Sequence, residues 1–412
     1  MPTRARPTEI GPSAESDTGS GRLPLVVYIL ALGTFLMLTT EFIVAGILPD
    51  VASDLGVSLP VASSLITVFA IGMVVGAPTM TLLTLRLSRK HTLLAALSVF
   101  FVGHVIVAVS SEMDILMVAR FLTALATGAF WAVSAVVAGD AAGSALRSRA
   151  IGVVGAGGSL ATVLGVPLGA FLAHQVGWRG TFWALAAASA VAALLVARFV
   201  PAPHAQAGRL NVRDALSALR SGRLWAVLLA CLTTCGGVLA VYSFLVPLLT
   251  DVAGIPGMFV PLVLTGFGVG SFLGTLVAGR LGDRRPHAVT IAVPTVTTLV
   301  LLAMTITAGA PVITVILVVL LGLFGLSANT VLIHLAVGYA GRAATLGSGL
   351  TVAAFNAGTA LGTALAGAAI GGGLGLTAST VVGTGIVVLT LIPAIGLALT
   401  SRARTAAPRP TP

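Results

Sequence analysis

Two charged side chains sit where the surrounding sequence leaves them no water. Glu41 falls inside an apolar run at 24–48, and Arg120 inside another at 114–138. A charge at the centre of a lipid-embedded helix costs about 2.5–3.5 kcal/mol on insertion scales, so such residues face a protein interior or a watery cavity and mark ion or substrate routes. A carboxyl group in a partly dry site can bind and release a proton near neutral pH, because burial disfavours its charged form. Glu41 is therefore expected to carry a proton coupled to transport. The alternative is a structural acid hydrogen-bonded to Thr39 or Thr40. Arg120 stays protonated; it pairs with a cavity acid or holds water that relays protons, or else snorkels to a surface from its helix end. His104 and His334 are further candidates for proton relay, against the plainer reading of satisfied buried histidines. Cys231 and Cys235 lie four apart on one helix face, poorly spaced for a disulfide and with no histidine or acid nearby to complete a metal site, so they read as small buried hydrophobes.

These residues need a membrane fold to position them. The 412-residue chain is 57% hydrophobic and only 8% charged, with a mean hydropathy of +1.09, whereas soluble proteins carry about 25% charged residues. Apolar runs long enough to cross a bilayer lie at 24–48, 61–84, 92–110, 114–138, 147–173, 178–200, 224–249, 258–281, 288–308, 311–337, 344–369 and 375–400. Lipid cannot satisfy free backbone groups, and the runs lack the strict alternation of barrel strands, so an all-α integral membrane fold of twelve helices is predicted. The polar break at 201–223, with Pro201, Pro203 and an amphipathic stretch Val212–Leu219, divides the chain into six-helix halves at 23–200 and 224–400. Residues 1–22 and 401–412 read as cytoplasmic tails, the first of them disordered.

The net charge of +10 might suggest nucleic acid, but its distribution argues for a membrane orientation instead. All of the 22 Lys and Arg residues except Arg120 and Arg179 fall on one side of the predicted spans, and Asp50, Asp54, Glu112, Asp114 and Asp251 fall on the other. By the positive-inside rule both termini are cytoplasmic. The halves also resemble one another. An offset of 198 carries Gly72, Gly76 and Arg86 onto Gly270, Gly274 and Arg284, and an offset of 197 carries Gly152, Ala156 and Gly165 onto Gly349, Ala353 and Gly362. Internal repeats with a site between them are the architecture of secondary transporters. Gly165, Pro167 and Gly169 in the fifth run permit close helix approach and a bend, for packing alone or for a hinge and seal between halves. Ser-His-Asp spacing, metal clusters and phosphate loops do not stand out, and Gly371–Gly373 lacks a following Lys, so an enzyme is disfavoured and no cofactor is expected.

The run Gly279-Arg280-Leu281-Gly282-Asp283-Arg284 resembles the loop between the second and third helices of each half in the major facilitator superfamily; the first-half copy, from Thr81 to Lys90, keeps the basic end without the Gly and Asp. Gly165-Val166-Pro167-Leu168-Gly169, followed by Gly177-Trp178-Arg179, resembles that family's antiporter pattern. Thr40-Glu41-Phe42-Ile43-Val44-Ala45-Gly46-Ile47-Leu48-Pro49 is similar to the drug–proton antiporter branch that contains chloramphenicol exporters and arabinose-efflux permeases. The resemblance implies two halves related by a pseudo-twofold axis that rock around a central cavity. It implies that Asp283, with Arg284, caps the fifth helix near Arg147 or Arg149 and locks the outward-open state, with no counterpart at Leu85. It also nominates Trp131, Tyr242, Phe244, Asn329 and Asn356 beside Glu41 as cavity residues. Such an apolar, aromatic cavity suits an amphiphilic, chloramphenicol-like molecule better than a sugar. The expected function is proton-coupled efflux by a monomer in the cell membrane, with protons, a small molecule and lipid as partners. The alternatives are a sugar or metabolite exporter of the same fold and a non-transporting receptor or scaffold.

Overall fold

The computed structural model describes residues 22–83, 88–201 and 217–406. Residues 1–21 of the expected tail, Leu85 and Arg86 of the first-half loop, the linker from 202 to 216 with the start of the Val212–Leu219 stretch, and residues 407–412 lie outside the described residues.

Among the described residues every regular element is helical. Eleven helices are long and apolar enough to cross a membrane, and one of them, Met113–Val176, runs for 64 residues. At 1.5 Å per residue that is roughly three hydrocarbon thicknesses, too long for one crossing. Gly143, with φ +72° and ψ 173°, reverses the chain inside it. This dihedral pair is open to glycine and strained for other residues. The fourth and fifth spans are thus 113–142 and 144–176, and the chain makes twelve crossings. The polar stretch expected to be a loop there is helical on both sides of one glycine.

The other spans follow the expected order. The first to third are Leu25–Gly46, Leu59–Leu83 and Arg89–Val109, and the sixth is Trp178–Phe199. The seventh is Gly222–Tyr242, the eighth Val260–Arg284 and the ninth Pro286–Thr307. The tenth joins Pro311–Gly325 to Asn329–Ala340, and the eleventh and twelfth are Ala344–Ala369 and Ala378–Ala406. The last helix therefore continues through the start of the segment read as a tail. A short outer helix, Leu48–Leu55, fills what the sequence suggested was a loop; a proline near its start and Gly56 in the left-handed region at its end delimit it. Large apolar side chains such as Val109, Leu194, Ile306, Val312 and Ile392 remain exposed, as a lipid-facing surface requires.

The internal repeat is visible in the packing. Gly72 and Gly76 of the second span lie against Phe121, Ala124 and Leu125 of the fourth, while Gly270 and Gly274 of the eighth lie against Val319 and Leu323 of the tenth. Gly165 meets Thr39 of the first span, and Gly362 meets Gly236 of the seventh. The offsets that relate the glycines also relate their partners, so the two halves are built on one helix-packing scheme.

The halves pack closely toward the outer side. Ile47, Leu48, Phe244, Leu245, Leu248 and Leu249 are completely buried there. Gly367 of the eleventh span packs near Ser63, Pro60 and Phe244, and Gly46 lies against Leu264 of the eighth. The tightest approach is Gly268 of the eighth span, whose added Cβ would stand 2.4 Å from Thr162 O and 2.6 Å from Val163 Cα. That partner is a π-helical turn, Ala161–Gly165, in the fifth span. Gly165 and Gly169, by contrast, pack against Thr39 and Ile43 within their own half, so the seal between halves at this level uses a glycine that the sequence reading passed over. Gly268→Val should therefore lower the melting temperature of detergent-purified protein by several degrees, because backbone cannot yield to the new side chain. Gly385→Val, at a position with open space around its Cβ, should melt like the parent protein in the same thermal scan.

Candidate functional site

The central cavity lies between the halves and measures about 10 Å³, room for about one water molecule. The first span supplies Glu41, Phe42 and Ala45; the second supplies Ile66, Phe69 and Ala70. From the other half come Leu239, Tyr242 and Ser243 at the end of the seventh span, and Asn356 and Thr359 of the eleventh. Phe42 meets Tyr242 edge-on across the halves with centroids 6.3 Å apart, and Tyr242 in turn lies 4.7 Å from Phe267. Helical spacing puts Glu41, Phe42 and Ala45 on one side of the first span.

Arg120 sits behind Glu41 and is only 1% exposed, so it does not snorkel. Arg120 and Glu41 form no direct ion pair; their charges act on one another only through space. Nη1 donates to the Thr40 carbonyl at 2.9 Å and to Thr40 Oγ1 at 3.1 Å. The guanidinium stacks over Phe69 with Cζ 4.1 Å from the ring centre. Nη2 is buried with no hydrogen-bond partner. Thr40 Oγ1 also pairs with His104 Nε2 at 2.7 Å, while His104 Nδ1 lies 2.6 Å from the Phe100 carbonyl. A carbonyl only accepts, so in the neutral ring Nδ1 carries the hydrogen and Nε2 accepts from the threonine hydroxyl. Spans one, three and four are thereby joined through polar groups in an apolar interior. Thr39 is engaged with the Phe35 carbonyl, and Thr40 with Arg120 and His104, so neither threonine serves Glu41 as the structural alternative required. Glu41 is left half-buried at the cavity wall.

The nominated residues divide. Glu41, Tyr242 and Asn356 line one cavity. Phe244 lies just beyond it in the outer seal, fully buried. Trp131 is 36% exposed and sits beside Leu38 and Gly158. Asn329, at the break in the tenth span, adjoins Cys235 behind the cavity, with its Oδ1 buried and unpaired. His334 is exposed. Pro167 is buried just after the π-helical turn inside the fifth span, where its missing N–H removes one hydrogen bond of the helical ladder. At the inner face Asp283 and Arg284 are exposed at the end of the eighth span. Arg147 pairs at 3.0 Å with Asp140, which also binds Arg89. Arg149 adjoins this region at the start of the fifth span. Sequence reasoning missed Asp140, although an acid amid the basic residues of the inner side is a legible signal. It missed Ser243 and Thr359 because hydroxyls scattered along apolar helices carry no periodic mark.

At the outer face Asp54 of the short helix binds Arg179, and it accepts from Trp178 Nε1 at 3.2 Å. Arg179 also donates to the Ser110 carbonyl at 3.2 Å and to Ser111 Oγ at 3.0 Å. The outer ends of the first, third and sixth spans are tied by this one guanidinium.

Two six-helix repeats packed around a central cavity with an acid on its wall define a multi-pass membrane transporter and not an enzyme. The chain belongs to the major facilitator superfamily, whose model matches residues 30–362. It is 36% identical over 352 residues to a chloramphenicol resistance protein of Streptomyces lividans, covering 85% of this chain and 90% of that one. It is 32% identical over 364 residues to the inner membrane transport protein YdhP of Escherichia coli strain K12, covering 88% of this chain and 93% of that protein. Its fold matches a bacterial homologue of the human lysosomal transporter Spinster, crystallised inward-facing and unoccupied, with a TM-score of 0.68, 16% identity, and coverage of 94% and 98% of the two chains. The chain is a multi-pass protein of the cell membrane.

The outer tie gives a pH signature. The hydrogen bond from Arg179 holds the Asp54 carboxyl below its ordinary 3.8. A depressed folded-state value adds stability above about pH 4 that is lost as pH falls through that lower value. Asp54→Asn should melt slightly lower than the parent at neutral pH, by no more than an exposed ion pair allows, and the gap should close on acidification. Thermal unfolding across pH 7 to 3 checks this.

Proposed function

We propose that this transporter exports a small amphiphilic, drug-like compound in exchange for protons, with Glu41 as the acid that binds and releases the proton. The observation that carries the reading is the position of Glu41: it lies on the wall of a space shared by spans one, two, seven and eleven, with the fixed charge of Arg120 behind it. A carboxyl there can be reached from either side in turn as the halves rock. Arg120 is held by Thr40 and cannot give up its proton, so it sets the local field and positions the acid. The aromatic and apolar wall formed by Phe42, Phe69, Tyr242 and Leu239 favours a molecule with an apolar body. The similarity to a chloramphenicol resistance protein supports a compound of that kind. A sugar or polar metabolite is the competing cargo, and the hydroxyl and amide groups of Ser243, Asn356 and Thr359 are what it would use.

In the same reading, Asp283 at the inner end of the eighth span engages the basic start of the fifth span, at Arg147 or Arg149, when the inner side closes. Arg147 would then leave Asp140. A carboxylate there also meets the positive end of a helix. Gly165, Pro167 and Gly169 shape the fifth span so that it can follow the first through this motion, and Arg284 flanks the latch.

Reconstituted into liposomes with an imposed proton gradient, the parent protein should move chloramphenicol against its gradient, and an uncoupler should abolish the movement. Glu41→Gln should reduce gradient-driven movement to the level of empty liposomes while the protein still inserts and folds; full pumping by this variant would remove the acid from the mechanism. Asp283→Asn should slow turnover several-fold with little change in KM, since it touches the conformational step and not the cavity. Unchanged turnover would count against the latch.

A further inference from the structure

Asn356 is 4% exposed and lines the central cavity from the eleventh span. Its Nδ2 donates to the Val352 carbonyl at 3.1 Å. That carbonyl cannot donate, so the contact fixes which end of the amide is nitrogen. Oδ1 is therefore the other end, and it is buried with no hydrogen-bond partner. Buried polar atoms in native proteins are nearly always paired, so an orphaned acceptor at a cavity wall marks a place where a donor comes from outside the chain. Across the same cavity stands Glu41, which as a carboxylate is also an acceptor. The neighbouring hydroxyls do not donate to this oxygen: Thr359 Oγ1 donates to the Phe355 carbonyl at 3.1 Å, and Ser243 Oγ pairs with Thr363 Oγ1 at 2.8 Å.

We infer that Asn356 Oδ1 and the Glu41 carboxylate form a hydrogen-bond acceptor pair, one from each half, that recognises cargo bearing a hydroxyl or N–H donor beside an apolar body. This inference rests on the central cavity being the cargo site, and it narrows the cargo class. Amphiphiles that offer only acceptors, such as esters and ethers, leave both groups unpaired and are rejected. A site built to bond a donor discriminates strongly against the analogue that lacks it.

The test is equilibrium binding to detergent-purified protein, with chloramphenicol and its di-O-acetyl, N-methyl derivative, which keeps no hydrogen-bond donor, as one probe pair, and methyl arabinoside and its tri-O-methyl ether as a second. The parent protein should bind the free-hydroxyl member of at least one pair about tenfold or more tightly than its capped partner. Asn356→Leu should lose that preference to within about twofold. Asn356→Thr, whose hydroxyl can donate to the Val352 carbonyl while its oxygen still accepts, should retain part of it, and a melting curve for each variant guards against misfolding. Preference preserved in Asn356→Leu would mean that a trapped water alone serves this amide, and would overturn the inference. So would equal binding of free and capped probes by the parent, or binding of neither pair. Donor-selective binding without gradient-driven transport would sink the proposed exchange for protons and leave the acceptor pair standing.

Discussion

A guanidinium sealed away from water sets terms for everything around it. Arg120 cannot shed its charge, and a cation in an apolar interior is tolerated only with hydrogen bonds and a counter-charge. The chain meets that demand with Thr40, through both its carbonyl and its hydroxyl, with the face of Phe69 and with the charge of Glu41. These partners come from the first and second spans. The demand therefore draws spans one, two and four together, and His104 brings in the third. It also explains why an acid is held at the cavity wall: the same electrostatic need that stabilises Arg120 keeps Glu41 facing inward and away from lipid.

The two halves answer their burial problems differently despite a shared packing scheme. The first half contains the fixed charge and its hydrogen-bonded retinue, while the second presents neutral groups, including Tyr242, Ser243, Asn356 and Thr359, to the same space. An interface with charge on one side and uncharged dipoles on the other has no strong ion pair to break when the halves move at this level. Closeness comes from glycines instead, above all Gly268 against the π-helical turn of the fifth span. Such contacts are strong only when surfaces match and vanish when they slide, because dispersion falls off steeply with separation. That is the behaviour a rocking interface needs.

The ion pairs Arg89–Asp140, Arg147–Asp140 and Arg179–Asp54 lie within the first half, at its inner and outer ends. They fasten helix ends to one another where water screens the charges, and they leave the central interface free. The first half is thus braced at both surfaces and at its core.

Much of this was legible in the residues. The apolar runs fixed the number, order and approximate limits of the spans, since lipid allows a long apolar segment one backbone arrangement; the segregation of basic residues fixed their orientation. Glu41 and Arg120 stood out because a charge in such a run is rare enough to need a reason. Other features depended on atoms brought together from distant positions. Gly143 looks like any of the chain's 49 glycines until its dihedrals show that it reverses a helix. Phe244 and Tyr242 are two residues apart, yet one seals the outer side and the other lines the cavity, because the helix ends between them. Asn356 gave no sign of an unpaired oxygen. By itself the sequence determined what must be buried in lipid and which charges had to be accommodated, since those follow from composition along a single helix. Which donors meet which acceptors was decided only by the tertiary structure, because hydrogen bonds depend on distances of a few ångströms between helices that periodicity cannot supply.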